Sequence, residues 1–373
     1  MRRRVVITGL GAVTPLGNDV PTLWEGLLAG RSGVGPITLF DPSHMEVRIA
    51  AEVKDFDPVA LFGRRKARRN DRFTLFALEA ARQAVDDAGL QFEGEDGRDV
   101  GVLIGSAIGG ILTLLKNYDV LQTSGPRRVS PFMVPMMMPN AASAAVAITY
   151  GLRGPNLCVA SACATGSHAI GEAAEMIRRG DAETMICGGS EAVVAPLSLS
   201  AFKNMGAVST RNDEPERACR PFDAGRDGFV MGEGSGVLVL ESPEHARRRG
   251  AHIYCELAGY GASADAYHIT APDEVGQGAA WAMERALHDA GLASEEVDYI
   301  NAHGTSTLLN DRTETRAIRA VFGSHADRLA VSSTKSMVGH LMGAAGAIEA
   351  IACVKSLETG WVHPTLNYET PDP

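Results

Sequence analysis

Three residues have the types and spacing to make and hold a covalent intermediate. Cys163 lies in Ser161-Ala162-Cys163-Ala164-Thr165-Gly166, where a short buried strand expected at 156–160 turns into a helix of small residues. A cysteine at a helix N-terminus meets free N–H groups and the positive end of the helix dipole, and both favour its thiolate. Such a turn is the cysteine analogue of a nucleophile elbow. Two histidines stand at strand or loop ends further along the chain. His303 is in Asn301-Ala302-His303-Gly304-Thr305-Ser306-Thr307, and His340 closes Lys335-Ser336-Met337-Val338-Gly339-His340 just before another small-residue helix. Most free cysteines are small buried hydrophobes, and that reading suits Cys158, Cys187 and Cys353. Cys163 with two histidines beside glycine and hydroxyl residues is instead a nucleophile-plus-donor set.

An internal repeat supplies the elements that would bring this set together. Val6-Ile7-Thr8-Gly9-Leu10-Gly11-Ala12 is echoed by Leu257-Ala258-Gly259-Tyr260-Gly261-Ala262, and the helix end at 84–90 by that at 286–292. A strand closing on glycine comes after each, at 102–106 and 301–305. Cys163-Ala164-Thr165-Gly166 then matches Gly343-Ala344-Ala345-Gly346, which places His340 beside the counterpart of the cysteine turn. Strands alternate with helical patterns in both halves, so the expected class is α/β with mostly parallel pairing. Two such halves packed face to face would bury their central helices, and the alanine and glycine of 141–149, 162–174 and 343–352 suit that. The division predicted is 1–250, carrying the cysteine and cap loops, and 251–373, carrying both histidines.

Composition narrows the class of protein. A net charge of -10 over 373 residues gives no general attraction for nucleic acid or an anionic membrane. No apolar run approaches the ~18 residues of a membrane span. Arg2-Arg3-Arg4 opens the chain like a secretory leader, but Gly9, Gly11, Pro15 and Gly17 interrupt the short apolar run behind it. Six cysteines without a CxxC pair read as reduced thiols of a cytoplasmic protein, with no zinc pattern and no metal expected. Against the acidic total, Arg64, Arg65, Lys66, Arg68 and Arg69, with Arg127 and Arg128, form a basic patch.

At these residues the chain resembles the β-ketoacyl-acyl-carrier-protein synthases of the thiolase fold, the KAS II type in particular, from residue 5 to its last. Ser161-Ala162-Cys163, His303-Gly304-Thr305-Ser306-Thr307 and Lys335…Gly339-His340 carry the resemblance, with Arg220-Pro221-Phe222-Asp223 and the glycine-rich block at 228–234 in support. It implies two thiolase-like halves in five layers, αβαβα. It also implies a decarboxylative condensation in fatty acid elongation: an acyl group on Cys163 is attacked by the enolate that forms when a malonyl thioester loses CO2. His303 and His340 would each donate an Nε2–H to the enolate oxygen, and the Cys163 N–H would help hold the thioester oxyanion. Lys335 would be a supporting cation paired with Glu349, since either charge alone would be costly inside the core. Thr305 and Thr307 would bind the pantetheine arm, and Ile108 and Phe202 would line the acyl pocket. The basic patch would dock the acidic acyl carrier protein. No cofactor is implied beyond the carrier's phosphopantetheine. A homodimer is expected through 157–160.

Leu308-Leu309-Asn310 departs from the family's Pro-x-Gly, and Asn310 is expected to take a left-handed backbone there. The repeat lacks two strands at its end, so a further terminal hairpin of roughly 35–45 residues is expected. A polyketide-type ketosynthase stays open as an alternative. A KAS III or thiolase type would carry asparagine in place of Gly339-His340. A non-catalytic partner resembling a chain-length factor would lack Cys163.

Overall fold

The computed structural model describes residues 3–92 and 96–372; Arg2 of the basic opening and Pro373 lie outside them. The principal elements of the first half are β1 (Val6–Val13), α1 (Pro58–Ala67), α2 (Arg72–Asp87), β2 (Val100–Gly105), α3 (Ala141–Tyr150), β3 (Asn156–Leu157), α4 (Thr165–Arg179), β4 (Thr184–Glu191) and β5 (Gly234–Glu241). Those of the second are β6 (Cys255–Glu256), α5 (Gln277–Ala290), β7 (Tyr299–Asn301), α6 (Leu308–Phe322), β8 (Ala330–Ser332) and α7 (Ala345–Thr359).

Small residues set how these pieces approach. A Cβ on Gly9 would stand 2.2 Å from the Ala84 carbonyl oxygen, and one on Gly259 2.3 Å from that of Ala286. Only hydrogen at those positions lets each chain segment lie on its helix. Asp87 then accepts the Leu10 N–H at 2.9 Å, and Asp289 accepts the Tyr260 N–H at 2.9 Å. The repeat is therefore a repeat of contacts.

β1, β2, β4 and β5 are buried along their whole length. The six-stranded sheet runs β3-β2-β4-β5-β1-β6. β2 pairs parallel with β3 and β4, whereas β5 is antiparallel to both β4 and β1, and β6 is antiparallel to β1. The expectation of mostly parallel pairing thus fails at β5, and again at the edge strand β6. A strand buried on both faces reads as the same apolar run in either direction.

One face of the sheet is covered by α2 and α3, where Phe73, Phe76 and Val146 pack with Ile104 and Val237. The other is covered by α4 and α7, with Ala169, Ala173 and Ile177 beside Ala347 and Ile351. Beyond α7 lies the parallel pair β7–β8, and α5 and α6 lie outermost. The layers are αβαβα. α3 was expected among the central helices, but it is an outer one, and its Ile148 is 82% exposed. The segment 156–160 is also less buried than expected: β3 holds only Asn156 and Leu157 at the sheet edge, and Ala160 is exposed.

α4 and α7 meet at backbone distance, since a Cβ on Gly166 would lie 2.8 Å from the Ala347 nitrogen. Each is entered through a 3₁₀ turn, Ala162–Ala164 and Met342–Ala344. Each turn opens on a non-glycine residue in the left-handed region, Ala162 at φ 50 and Met342 at φ 45. Such a backbone costs of order 1–3 kcal/mol and persists only where the surroundings enforce it.

Candidate active site

The elbow that ends in α4 aims Cys163 into a cavity of about 860 Å³ that His303, His340, Thr305, Thr307 and Phe202 also line. His340 Nε2 lies 3.0 Å from Cys163 Sγ. The reactive atoms of Cys163, His303 and His340 all fall within 4.8 Å of one another.

The partners of the two rings fix their protons. His340 Nδ1 accepts the Met342 N–H at 3.1 Å, so in the neutral ring Nε2 carries the hydrogen. His303 Nδ1 stands 3.2 Å from Lys335 Nζ, a donor only, which leaves its Nε2 protonated as well. Burial holds both imidazoles well below their ordinary pKa; Lys335 adds to this at each, and His303 adds to it at His340. Two neutral rings therefore present N–H groups to one small volume. A metal would need lone pairs on those same nitrogens, so the trio is a donor set rather than a ligand set.

Lys335 is 1% exposed and carries its charge on Glu349, which is half-buried. It also donates to the His303 carbonyl at 2.7 Å. Glu314, which sequence reasoning missed, accepts the backbone N–H groups of His303 at 2.6 Å and Gly304 at 2.8 Å. Its only sequence signal was an acid on the helix after the histidine loop. Phe229, inside the glycine-rich block, packs its ring edge-on against His340 at 5.2 Å and against Phe202 at 5.5 Å.

That block and its neighbour also hold the histidine loop. Thr305 and Thr307 bring their hydroxyls within 2.8 Å of each other at the cavity wall. Between them Ser306 takes the left-handed backbone, φ 66; its Oγ accepts the Arg220 N–H and its carbonyl the Gly228 N–H. Buried Arg226 donates to the carbonyls of Thr307 and Leu308, both at 3.1 Å. Asn310 was expected to turn left-handed, but it sits in the first turn of α6 and reaches the cavity as a helical residue.

Two further expectations meet a different arrangement. Burial pushes the Cys163 thiol up; Lys335 pulls it down, while Glu349 and Glu191 push it up again. The helix N-terminus was expected to favour the thiolate, but α4 proper begins only at Thr165 and burial of Cys163 works in the opposite direction. Ile108 is 38% exposed and does not line the cavity in this chain. Arg64, Arg65, Lys66, Arg68 and Arg69 close α1, and Arg127 and Arg128 lie on an exposed turn. Arg65, Lys66 and Arg69 rim a separate groove with Phe62, Phe132 and Ile148, one that among the described residues shares no lining residue with the Cys163 cavity.

The chain is similar to known proteins along its whole length. Residues 2–246 match the beta-ketoacyl synthase N-terminal domain and residues 254–369 its C-terminal domain. A 3-oxoacyl-[acyl-carrier-protein] synthase 2 of Coxiella burnetii is 54% identical over the whole chain and 90% of its own length. The enzyme of that name from Synechocystis is 53% identical over the whole chain and 89% of its own. Among solved structures, one described as a type II polyketide acyl carrier protein in complex with its ketosynthase superposes with a TM-score of 0.91 at 39% identity. That match covers the whole chain and 90% of the other. A beta-ketoacyl synthase from Burkholderia phymatum gives 0.91 at 38%, with the same coverage.

Proposed function

The chain belongs to the beta-ketoacyl synthase family, and from that premise we propose how its own residues divide the work of a 3-oxoacyl-acyl-carrier-protein synthase of fatty acid elongation. Relatives of that name are 50–54% identical and the polyketide ketosynthase structure 39%, which favours elongation over the polyketide alternative.

Cys163 Sγ attacks the acyl thioester carbonyl; the new C–S bond forms as the carrier's phosphopantetheine thiol leaves with the proton. A malonyl thioester then enters along Thr305 and Thr307. As its carboxylate departs as CO2, the electron pair passes to the thioester oxygen, where two N–H donors meet the growing charge. Donors already in place and shielded from water stabilise such charge without reorganising. The enolate carbon bonds to the acyl carbon, the C–S bond to Cys163 breaks, the released thiolate takes up a proton from solvent, and the 3-oxoacyl chain leaves on its carrier. Lys335 keeps the His303 tautomer, and Glu349 balances its charge. The reaction draws on no bound cofactor.

The observation that carries this reading is that both Nδ1 atoms face fixed donors, which leaves both rings their hydrogen on Nε2, in a cluster where His340 Nε2 stands 3.0 Å from Cys163 Sγ and His303 lies within 4.8 Å. It is tested by mixing the protein with acyl carrier protein loaded with a fatty acyl chain and mapping the acyl mass by peptide mass spectrometry. Acylation of Cys163, absent in Cys163→Ala, is expected; acylation elsewhere contradicts the reading.

The carrier protein is taken to dock at the basic patch, where positive charge rims an apolar groove. A homodimer is supported by the exposed edge strand β3 and by exposed Ile108, Leu114, Tyr118, Val134 and Met138. Six free thiols favour a reducing cytoplasm. Among the described residues no helix is long and apolar enough to cross a membrane.

A further inference from the structure

We propose that Glu191 is a positioning residue for decarboxylation, tying the turn that orients His340 to the loop after β2. Glu191 ends β4 and is wholly buried. Its Oε1 accepts the Ser106 hydroxyl at 2.7 Å and the Ile108 N–H at 3.3 Å. Its Oε2 accepts the Ala107 N–H at 2.8 Å and the Gly343 N–H at 3.0 Å. Gly343 comes directly after Met342, whose N–H sets the His340 tautomer. One carboxylate thus spans two segments that lie far apart in sequence, and one of them controls a proton of the reaction.

The duplication explains why a carboxylate belongs there. Ala162–Ala164 and Met342–Ala344 are the same 3₁₀ turn, so Gly343 occupies the place of Cys163. The N–H of Cys163 is assigned to the thioester oxyanion, and the equivalent N–H of Gly343 already binds an anionic oxygen, that of Glu191. The second elbow is an oxyanion site with a resident occupant. That occupant locks a turn whose Met342 takes a strained left-handed backbone. Glutamine cannot replace it: four donors converge on two oxygens, and an amide NH2 would face one pair of them as a donor. With the lock weakened, Met342 and His340 are free to drift.

The inference rests on His340 being an enolate donor, so the test carries a control for that. Wild type, Glu191→Gln, Ser106→Ala and His340→Ala are compared for malonyl-carrier decarboxylation, for the pH profile of Cys163 alkylation by iodoacetamide, and for thermal stability. Glu191→Gln is expected to lower decarboxylation kcat about 10- to 100-fold at nearly constant KM, as small misplacements do. Its alkylation profile should move to lower pH. Lys335 pulls the Cys163 thiol down and Glu349 and Glu191 push it up, with His303, His340, Asp265 and His268 on the same cavity wall, and the change removes one of the two carboxylates that push it up. Ser106→Ala removes one donor and should lower kcat in the same direction by about two- to fivefold. Unchanged kcat in Glu191→Gln overturns the proposal, and so does a fall matched by lost folded protein with an unmoved alkylation profile. If Glu191→Gln does not fold, Ser106→Ala decides, and unchanged decarboxylation there overturns it. If His340→Ala itself keeps decarboxylation, the donor assignment falls. If His340→Ala loses it while Glu191→Gln keeps it, only this proposal falls.

Discussion

The turns at Ala162–Ala164 and Met342–Ala344 have the same backbone and different tenants. Each lies after a strand region, opens on a left-handed non-glycine residue and feeds a 15-residue helix that ends on a left-handed glycine. In the first, the middle residue is Cys163 and its side chain looks into the cavity. In the second it is Gly343, where a Cβ would stand 2.6 Å from Glu191 Oε2 and 2.7 Å from the Ala107 nitrogen. Duplication supplied two equivalent elbows, and one side chain made one of them reactive. The other became a brace, and its neighbouring residues, His340 and Met342, supply a donor to the first. What a position does here depends on what fills the space in front of it.

The largest effect should come from removing the donors that the second half lends to the first. His303→Ala and His340→Ala should each slow malonyl decarboxylation by ~10²–10³-fold, the usual cost of losing one oxyanion donor. Self-acylation of Cys163 should suffer less, because that step needs no enolate. A variant that lost only acylation would show that its histidine serves the cysteine. Because burial and Lys335 hold both rings neutral far below 6.5, lowering pH through that value should leave decarboxylation unchanged. The same shifts set a sign for stability: the unfolded chain takes up protons at these histidines below about 6.5 while the folded chain does not, so they make stability fall as pH falls there.

Next comes the contrast between the elbows themselves. Gly343→Ala forces a methyl group against Glu191 and should cost about 1–3 kcal/mol, as overpacked cores do. Cys163→Ala removes one sulfur from a cavity wall and should leave the melting temperature nearly unchanged. Equal melting temperatures for the two variants would mean that the second elbow is not braced as described.

How much of the molecule was legible in the sequence depends on what each residue must satisfy locally. Cys163, His303 and His340 were readable because a strand-to-helix turn and glycine-flanked strand ends leave local signatures, and the repeat joined them. The paired glycines Gly9 and Gly259 were readable because a close approach to a helix demands them. Strand direction at β5 was not, since burial on both faces erases it. Nor were Glu314 and Glu191, whose roles come from backbone N–H groups that no side-chain pattern records. The raised Cys163 thiol was hidden for a related reason. The dipole effect needs only the turn, but desolvation depends on the whole chain above it.

The smallest effect belongs to the basic patch, which shares no wall with the cavity. Reversing charge at Arg64, Arg65 and Arg68 should raise KM for carrier-protein substrates and flatten its salt dependence, with little change on a small acyl-CoA surrogate. Equal loss on both would make the patch part of the fold's support.

Above all, the proposed function has the two elbows divide the reaction, with Cys163 holding the acyl chain and the histidines making the enolate. Cys163→Gln separates them, because its amide mimics the acylated cysteine but cannot be acylated. The measurement is CO2 release and 3-oxoacyl product from malonyl carrier protein with an acyl donor present. Sustained CO2 release with no condensation product is the expected result; condensation by this variant, or loss of both activities in a folded protein, would contradict the division.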